Sequence, residues 1–275
     1  MDLGIKDKVA IVSGAGRGLG RTISLTLAEE RARVGVNDFY LDRAETVAKE
    51  IKDGGGEALA LQADVTNLEQ VREMVRKVVQ TWGRVDIIVH NAGVPAGLLE
   101  SEGMMALAPL FHETNKEVWD RWVNLDFYGL LNLANAAIPH MIEQNGGRIL
   151  TVGSDAGRIG EPRIAVYSGA KAGTFGFIKA VAKELARYGI TANAVVSSAM
   201  DDTFLADLSG GVSPSEPQMQ ERRKALLRQY PLARARGGLG TTQDMANAVA
   251  FMVSDRASWI TGQLLSVNGG YCMVD

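Results

Sequence analysis

The sequence predicts an α/β fold, a doubly wound parallel sheet of about seven strands flanked by helices. Three observations predict it. Seven short apolar runs alternate with six mostly helical stretches, the first run passes straight into a glycine-rich turn, and 275 residues with 46% hydrophobic content suffice for one well-buried core. Such alternation implies right-handed βαβ units, with helices on both sheet faces.

The elements follow in order. "KVAIVSG" is the first strand, and "SGAGRGLGR" after it places Gly14, Gly18 and Gly20 ahead of a helix, with Arg17 and Leu19 in the same turn. Glycines there permit a tight turn and close backbone approach, and leave a helix N-terminus for a pyrophosphate. The spacing is Gly-x-x-x-Gly-x-Gly rather than the commoner Gly-x-Gly-x-x-Gly, so the turn alone is a weak sign. The second run, "ARVGVND", ends on Asp38, where a carboxylate accepts hydrogen bonds from adenosine ribose hydroxyls. Together the two features read as dinucleotide binding in a Rossmann fold. The remaining strands are "EALALQADV", "RVDIIVHNAG", "GRILTVGS", "ITANAVVS" and "QLLSVNGG". No internal repeat or linker divides residues 1–275, which are expected to form a single domain. Two irregular segments, 94–114 and 198–230, follow strands at the sheet edge where open parallel sheets bind ligands, and are candidate substrate loops.

Cofactor choice turns on Arg17 against Asp38. An arginine there would pair a 2′-phosphate and the aspartate would repel it; like charges about 4 Å apart cost roughly 4 kcal/mol at an effective dielectric near 20. Phe39 and Tyr40 add no positive charge. NAD is therefore expected.

A formal net charge of −3 offers no attraction for nucleic acid or anionic membranes, which leaves a small molecule as the expected partner. Cys272 is the only cysteine, so no intramolecular disulfide forms, and no metal site is expected. The N-terminus lacks a secretory pattern and no apolar run reaches membrane-spanning length, so a cytoplasmic protein is expected.

"AVYSGAKAG" sets Tyr167 and Lys171 four apart, which on a helix brings their β-carbons within about 5–6 Å. A phenol beside an ammonium is an acid–base device, although the pair alone also reads as two ordinary surface groups. Ser154 closes a strand thirteen residues earlier. With "IVSGAGRGLG", "ADV", "HNAG", "YSGAK" and "ITGQLLSVNGG" in one order, the chain resembles the short-chain dehydrogenase/reductase family, in its compact single-domain branch, over nearly its whole length.

The resemblance implies that Tyr167 exchanges a proton with the substrate oxygen, Lys171 tunes that phenol and holds the nicotinamide ribose, and Ser154 positions the oxygen. By the same carry-over Asp64 and Val65 line the adenine pocket, and Asn91, Ala92 and Gly93 form the turn after the fourth strand. Three positions depart from the family pattern: Asp126 stands where a catalytic asparagine is expected, Ser198 and Ala199 replace Pro-Gly, and His90 replaces the first asparagine before Ala-Gly. Asp126 is still expected to accept a hydrogen bond while raising the lysine pKa.

For the substrate, Leu98, Leu99, Met104, Met105, Leu107, Leu110 and Phe111 suggest an apolar wall or a subunit contact. Arg222, Arg223, Lys224, Arg228, Arg234 and Arg236 suggest an anion site or a solvated face. "SDAGRIG" and "ITGQLLSVNGG" look similar to 2-hydroxycyclohexanecarboxyl-CoA dehydrogenases. The expectation is an NAD-dependent oxidoreductase interconverting a secondary alcohol and a ketone, on an alicyclic or CoA-linked hydroxy acid. A 3-oxoacyl-thioester reductase is the alternative in the same chemistry, and an NAD-binding sensor that has lost catalysis is the alternative in another class. Small and apolar residues all round "AKAGTFGFIKAVAKELARYG" suggest a homotetramer.

Overall fold

The computed structural model describes residues 2–94, 109–200 and 217–274. Its seven strands are β1 (Val9–Ser13), β2 (Arg33–Asp38), β3 (Glu57–Gln62), β4 (Ile87–His90), β5 (Gly147–Ser154), β6 (Ile190–Ser197) and β7 (Leu264–Val267). All pair in parallel, in the order β3-β2-β1-β4-β5-β6-β7. The strand order reverses between β1 and β4, where a crevice opens at the carboxyl ends. Register keeps those ends level: Ser13 lies opposite His90, and Ser154 opposite Ser197.

The longer helices among the described residues are α1 (Gly18–Glu29), α2 (Leu41–Asp53), α3 (Leu68–Trp82), α4 (Lys116–Trp122), α5 (Gly129–Glu143), α6 (Ala165–Leu185), α7 (Pro217–Leu227) and α8 (Thr242–Met252). Alternate strand residues divide the core between the two sheet faces. On one face, Ala10, Val12, Val34, Val36, Val89 and Val152 pack with Ile23 and Leu27 of α1, Val47 and Ile51 of α2, and Met245 and Val249 of α8. On the other, Val9, Ile11, Ile88 and Ile149 pack with Val71, Met74 and Val78 of α3, Leu130 and Met141 of α5, and Ile178 and Val181 of α6. Because both faces are covered, the strands read as continuous apolar runs, as in "VAIV" and "IIV".

Between α4 and α5 the chain winds one wide π-helical turn, Val123–Tyr128, at whose centre Asp126 is wholly buried. Such turns often accompany functional sites. Among the described residues no helix is long and apolar enough to cross a membrane.

Candidate active site

Ser13 ends β1, and the chain turns through Gly14 (φ +60°) and Gly18 (φ +52°), backbone conformations that side chains rarely adopt. A β-carbon on Gly14 would lie 2.8 Å from Ala92 Cα, and one on Gly20 would run into the Gly14 carbonyl oxygen. Gly20 is buried behind the turn and lends room, while Gly14, Arg17, Gly18 and Leu19 line a cavity of about 1330 Å³. Arg17 precedes α1 in extended conformation without a side-chain cap, so the first-turn amides of α1 are left for another acceptor.

Asp38 is 8% exposed at the end of β2. Its Oδ2 accepts from the Gly16 N–H at 3.0 Å and its Oδ1 from the Tyr40 N–H at 3.0 Å. Phe39 is half exposed, and the Arg43 guanidinium lies 4.2 Å from the Tyr40 ring centroid. Asp64 and Val65 line the same cavity, Asp64 with one oxygen engaged by Thr66 and Val65 with its carbonyl accepting from Asn132 at 2.9 Å. Asn91, Ala92 and Gly93 line it too, but the Asn91 amide is spent on the carbonyls of Ser13 and Gly14, at 3.2 and 3.0 Å. It therefore clamps β4 to the glycine turn. The uncapped helix end, the packed glycines and the anchored Asp38 together fit a dinucleotide.

Farther along the cavity, α6 sets Tyr167 and Lys171 on one face, with the Lys171 Nζ 5.7 Å from the Tyr167 ring centroid. Tyr167 packs edge-on against Trp122, ring centroids 5.1 Å apart. Lys171 is buried; its Nζ donates to the Val152 carbonyl at 3.0 Å and pairs with Asp126 Oδ1 at 2.9 Å. Asp126 thus reaches Lys171 from the centre of the π-helical turn, while Asn124, two residues away, is exposed and lines the cavity.

Burial pushes Asp126 up to about 6 against the pull of Lys171. Burial alone would lower Lys171, but the charges of Asp126 and Tyr167 outweigh it and raise the ammonium above its usual value. Tyr167 also stands above its usual value: burial raises it, Lys171 lowers it, Asp126 raises it again, and the hydrogen-bonded Ser154 hydroxyl lowers it.

His90 is wholly buried, its Nδ1 3.1 Å from Ser13 Oγ. That oxygen accepts from the N–H groups of Asn91 and Ala92 at 3.1 and 3.3 Å, so its own hydrogen goes to the histidine. Burial, and then the charge of Lys171, hold His90 down at about 3 and keep it neutral. This is a packed histidine.

At Ser198 and Ala199, in place of Pro-Gly, a distant residue fills in. Ser198 Oγ lies 2.5 Å from the Tyr230 hydroxyl, which also accepts from the Ala199 N–H at 3.2 Å. Tyr230, Trp122, Asn132 and Ser13 were not legible as site residues, because nothing local in sequence marks them. Leu98, Leu99, Met104, Met105 and Leu107 lie outside the described residues. Leu110 and Phe111 are exposed, with Phe111 stacked on Trp119 at 5.3 Å. Of the basic cluster, Lys224 pairs with Glu221 at 2.7 Å and Arg236 with Asp244 at 3.3 Å.

Comparison with known proteins bears on the whole chain. A family model described as Enoyl-(Acyl carrier protein) reductase matches residues 14–272. A 3-oxoacyl-(acyl-carrier-protein) reductase, FabG, of Staphylococcus aureus is 37% identical over 267 residues, 97% of this chain and 98% of that protein. An uncharacterized oxidoreductase of Thermotoga maritima is 32% identical over 270 residues, 98% of each chain. The crystal structure of a short-chain type dehydrogenase/reductase from Mycobacterium marinum superposes with a TM-score of 0.83 at 27% identity, covering 99% of this chain and 98% of that one. Where two sequence stretches suggested 2-hydroxycyclohexanecarboxyl-CoA dehydrogenases, these relatives are FabG reductases and a generic oxidoreductase. A parallel sheet open at its switch point, a glycine turn under an anchored aspartate, and kinship along the full chain lead to one assignment: this chain belongs to the short-chain dehydrogenase/reductase family.

Proposed function

We propose that the protein is an NAD(H)-dependent oxidoreductase that interconverts a secondary alcohol and a ketone. One observation carries this reading: Tyr167 and Ser154 open into the same cavity as the glycine turn and Asp38. The α1 amides would hold the pyrophosphate, Asp38 the adenosine ribose and Lys171 the nicotinamide ribose. When bound, the nicotinamide supplies or accepts the hydride. Ser154 donates a hydrogen bond to the substrate oxygen, and Tyr167 gives that oxygen its proton or takes it.

To act as base near neutrality a phenol must fall roughly 2–3 units from its ordinary pKa near 10. Burial and Asp126 work against that fall at Tyr167, while Lys171 and the Ser154 hydrogen bond favour it. NAD over NADP rests on Asp38, whose two backbone anchors keep a carboxylate where a 2′-phosphate would lie.

For the substrate, an alicyclic or CoA-linked hydroxy acid, or the matching ketone, is the first reading. Reduction of a 3-oxoacyl thioester is the second, favoured by the activity named for the Staphylococcus relative. The whole chain is read as one catalytic domain with substrate loops at 94–114 and 198–230, of which 95–108 and 201–216 lie outside the described residues. Self-association as a homotetramer is supported by Trp259, which is 98% exposed, and by small exposed residues along α6 such as Gly169, Ala172 and Gly176. A monomeric mass by light scattering at micromolar concentration would refute it. The function is tested by offering cyclic and acyclic secondary alcohols and ketones, free and as thioesters, and following NADH absorbance. Turnover of at least one class supports it; inactivity on every compound, with NADH still bound, favours the sensor.

A further inference from the structure

Opposite the cofactor end, the cavity is walled by a side-chain network that the reaction itself does not use. Glu161 lines it, just after the turn at Gly160. Its backbone N–H donates to Ser168 Oγ at 3.2 Å, which sets it against the first turn of α6, beside Tyr167. Its Oε1 accepts from the Tyr271 hydroxyl at 2.5 Å. Tyr271 stacks on Tyr230 with ring centroids 4.9 Å apart, and both rings line the cavity. Asn268 pins the turn that carries Tyr271: it donates to Asp155 Oδ2 and to the Cys272 carbonyl, each at 2.8 Å, and accepts from the Gly270 N–H at 3.0 Å. Asp155 follows Ser154 directly, so the turn holding Tyr271 is tied to the backbone that positions Ser154.

A carboxylate offers about four acceptor sites, and the Tyr271 hydroxyl takes one of them. Among the described residues, the group that meets Glu161 is a phenol and not a cation. Burial, and then Glu161 itself, hold the Tyr271 phenol above its usual range, so it remains a donor. Ile164, Leu226, Gln229 and Tyr230 of the same cavity carry no positive charge, and of its cations Arg17 and Arg43 stand beside the glycine turn and in α2, while Lys116 and Arg121 of α4 pair with Asp120 and Glu117. An ionised carboxylate accepts and never donates, so a substrate group reaching it must be a donor.

We propose that Glu161, braced by Tyr271, selects substrates bearing a hydrogen-bond donor, a hydroxyl or an ammonium, away from the reacting carbon. This rests on the reading that the substrate shares the cavity with Tyr167, and it adds the chemical class of that substrate.

The test is binding to the enzyme–NADH complex, in which an alcohol cannot be oxidised, read by NADH fluorescence. The probes are cyclohexanol, the 1,2-, 1,3- and 1,4-cyclohexanediols, and the matching aminocyclohexanols. At least one donor-bearing probe is expected to bind about ten- to a hundredfold tighter than cyclohexanol, as for a hydrogen bond to a charged group. Whether a diol or an aminocyclohexanol gains more identifies the donor. Glu161→Ala should bring the ratio to about one and Glu161→Gln to an intermediate value, with cyclohexanol and NADH affinities within about threefold of the unmutated protein. Tyr271→Phe should reduce the ratio in part. A ratio below about twofold for every probe, or one that survives Glu161→Ala, overturns the proposal. So does a parallel loss of cyclohexanol and diol affinity, which marks a purely structural tie. The reading of Tyr167 fails separately, by turnover that survives Tyr167→Phe, whatever this ratio proves to be.

Discussion

The two ends of the cavity are built differently. At the cofactor end, recognition belongs to backbone: uncapped amides at the start of α1, glycines that leave no room for side chains, and Asp38 held by the N–H groups of Gly16 and Tyr40. At the substrate end it belongs to side chains brought together from far apart, Ser198 with Tyr230, Glu161 with Tyr271, and Asp155 with Asn268. Backbone recognition requires particular residues at close spacing and so leaves a local signature. Side-chain recognition assembled across the chain leaves none, and it is free to change with the substrate.

Lys171 sits where the two ends meet, and its removal should do the widest damage. Lys171→Ala should lower kcat by about 10²–10⁴-fold and weaken NADH binding as well. It also leaves Asp126 buried without its counter-charge, a loss of about 3 kcal/mol or more in chemical unfolding. The native pKa of Asp126, about 6, already lies above the ordinary carboxylate value, so the folded state gains stability as pH falls through that range. Without Lys171, whose charge and hydrogen bond lower Asp126, the carboxyl takes up its proton above about 6, so the variant's deficit should shrink as pH falls towards 6. A deficit independent of pH would mean that Asp126 is not the group left exposed to the loss.

A smaller effect should stay within the cofactor end. Asp38→Ala is expected to narrow the preference for NADH over NADPH by about tenfold in fluorescence titration, since it removes one repelling charge at the cavity wall. Equal affinity of the unmutated protein for both cofactors would contradict the assignment of Asp38.

That contrast also governs how much could be read from sequence. The seven strands were legible, the central β1 and β4 most plainly because both their faces are covered, and the glycine turn and Asp38 stood out by their spacing, with Gly14, Gly18 and Asp38 lining one cavity and Gly20 behind it. Tyr167 and Lys171 were legible from a spacing that a helix turns into a shared face. Asp126 could be placed only through the family resemblance, since no local pattern announces a π-helical turn. Tyr230 and Tyr271 escaped notice because their partners, Ser198 and Glu161, stand 32 and 110 residues away.

The mildest change expected is Asp126→Asn, which keeps an acceptor near Lys171 and discards the charge. Because Asp126 raises both Tyr167 and Lys171, the variant should stay active within about tenfold while the alkaline limb of its ketone-reduction profile moves to lower pH. A limb that does not move, or moves upward, would show that the carboxylate does not act on the phenol.

The most direct test of the account separates binding from chemistry at a single oxygen. Tyr167→Phe keeps the ring against Trp122 and removes only the hydroxyl, so NADH affinity should stay within about twofold while kcat falls by about 10²–10⁴-fold on any ketone the unmutated protein reduces. If the variant keeps more than roughly a tenth of kcat, the proton does not pass through Tyr167 and the proposed chemistry is wrong.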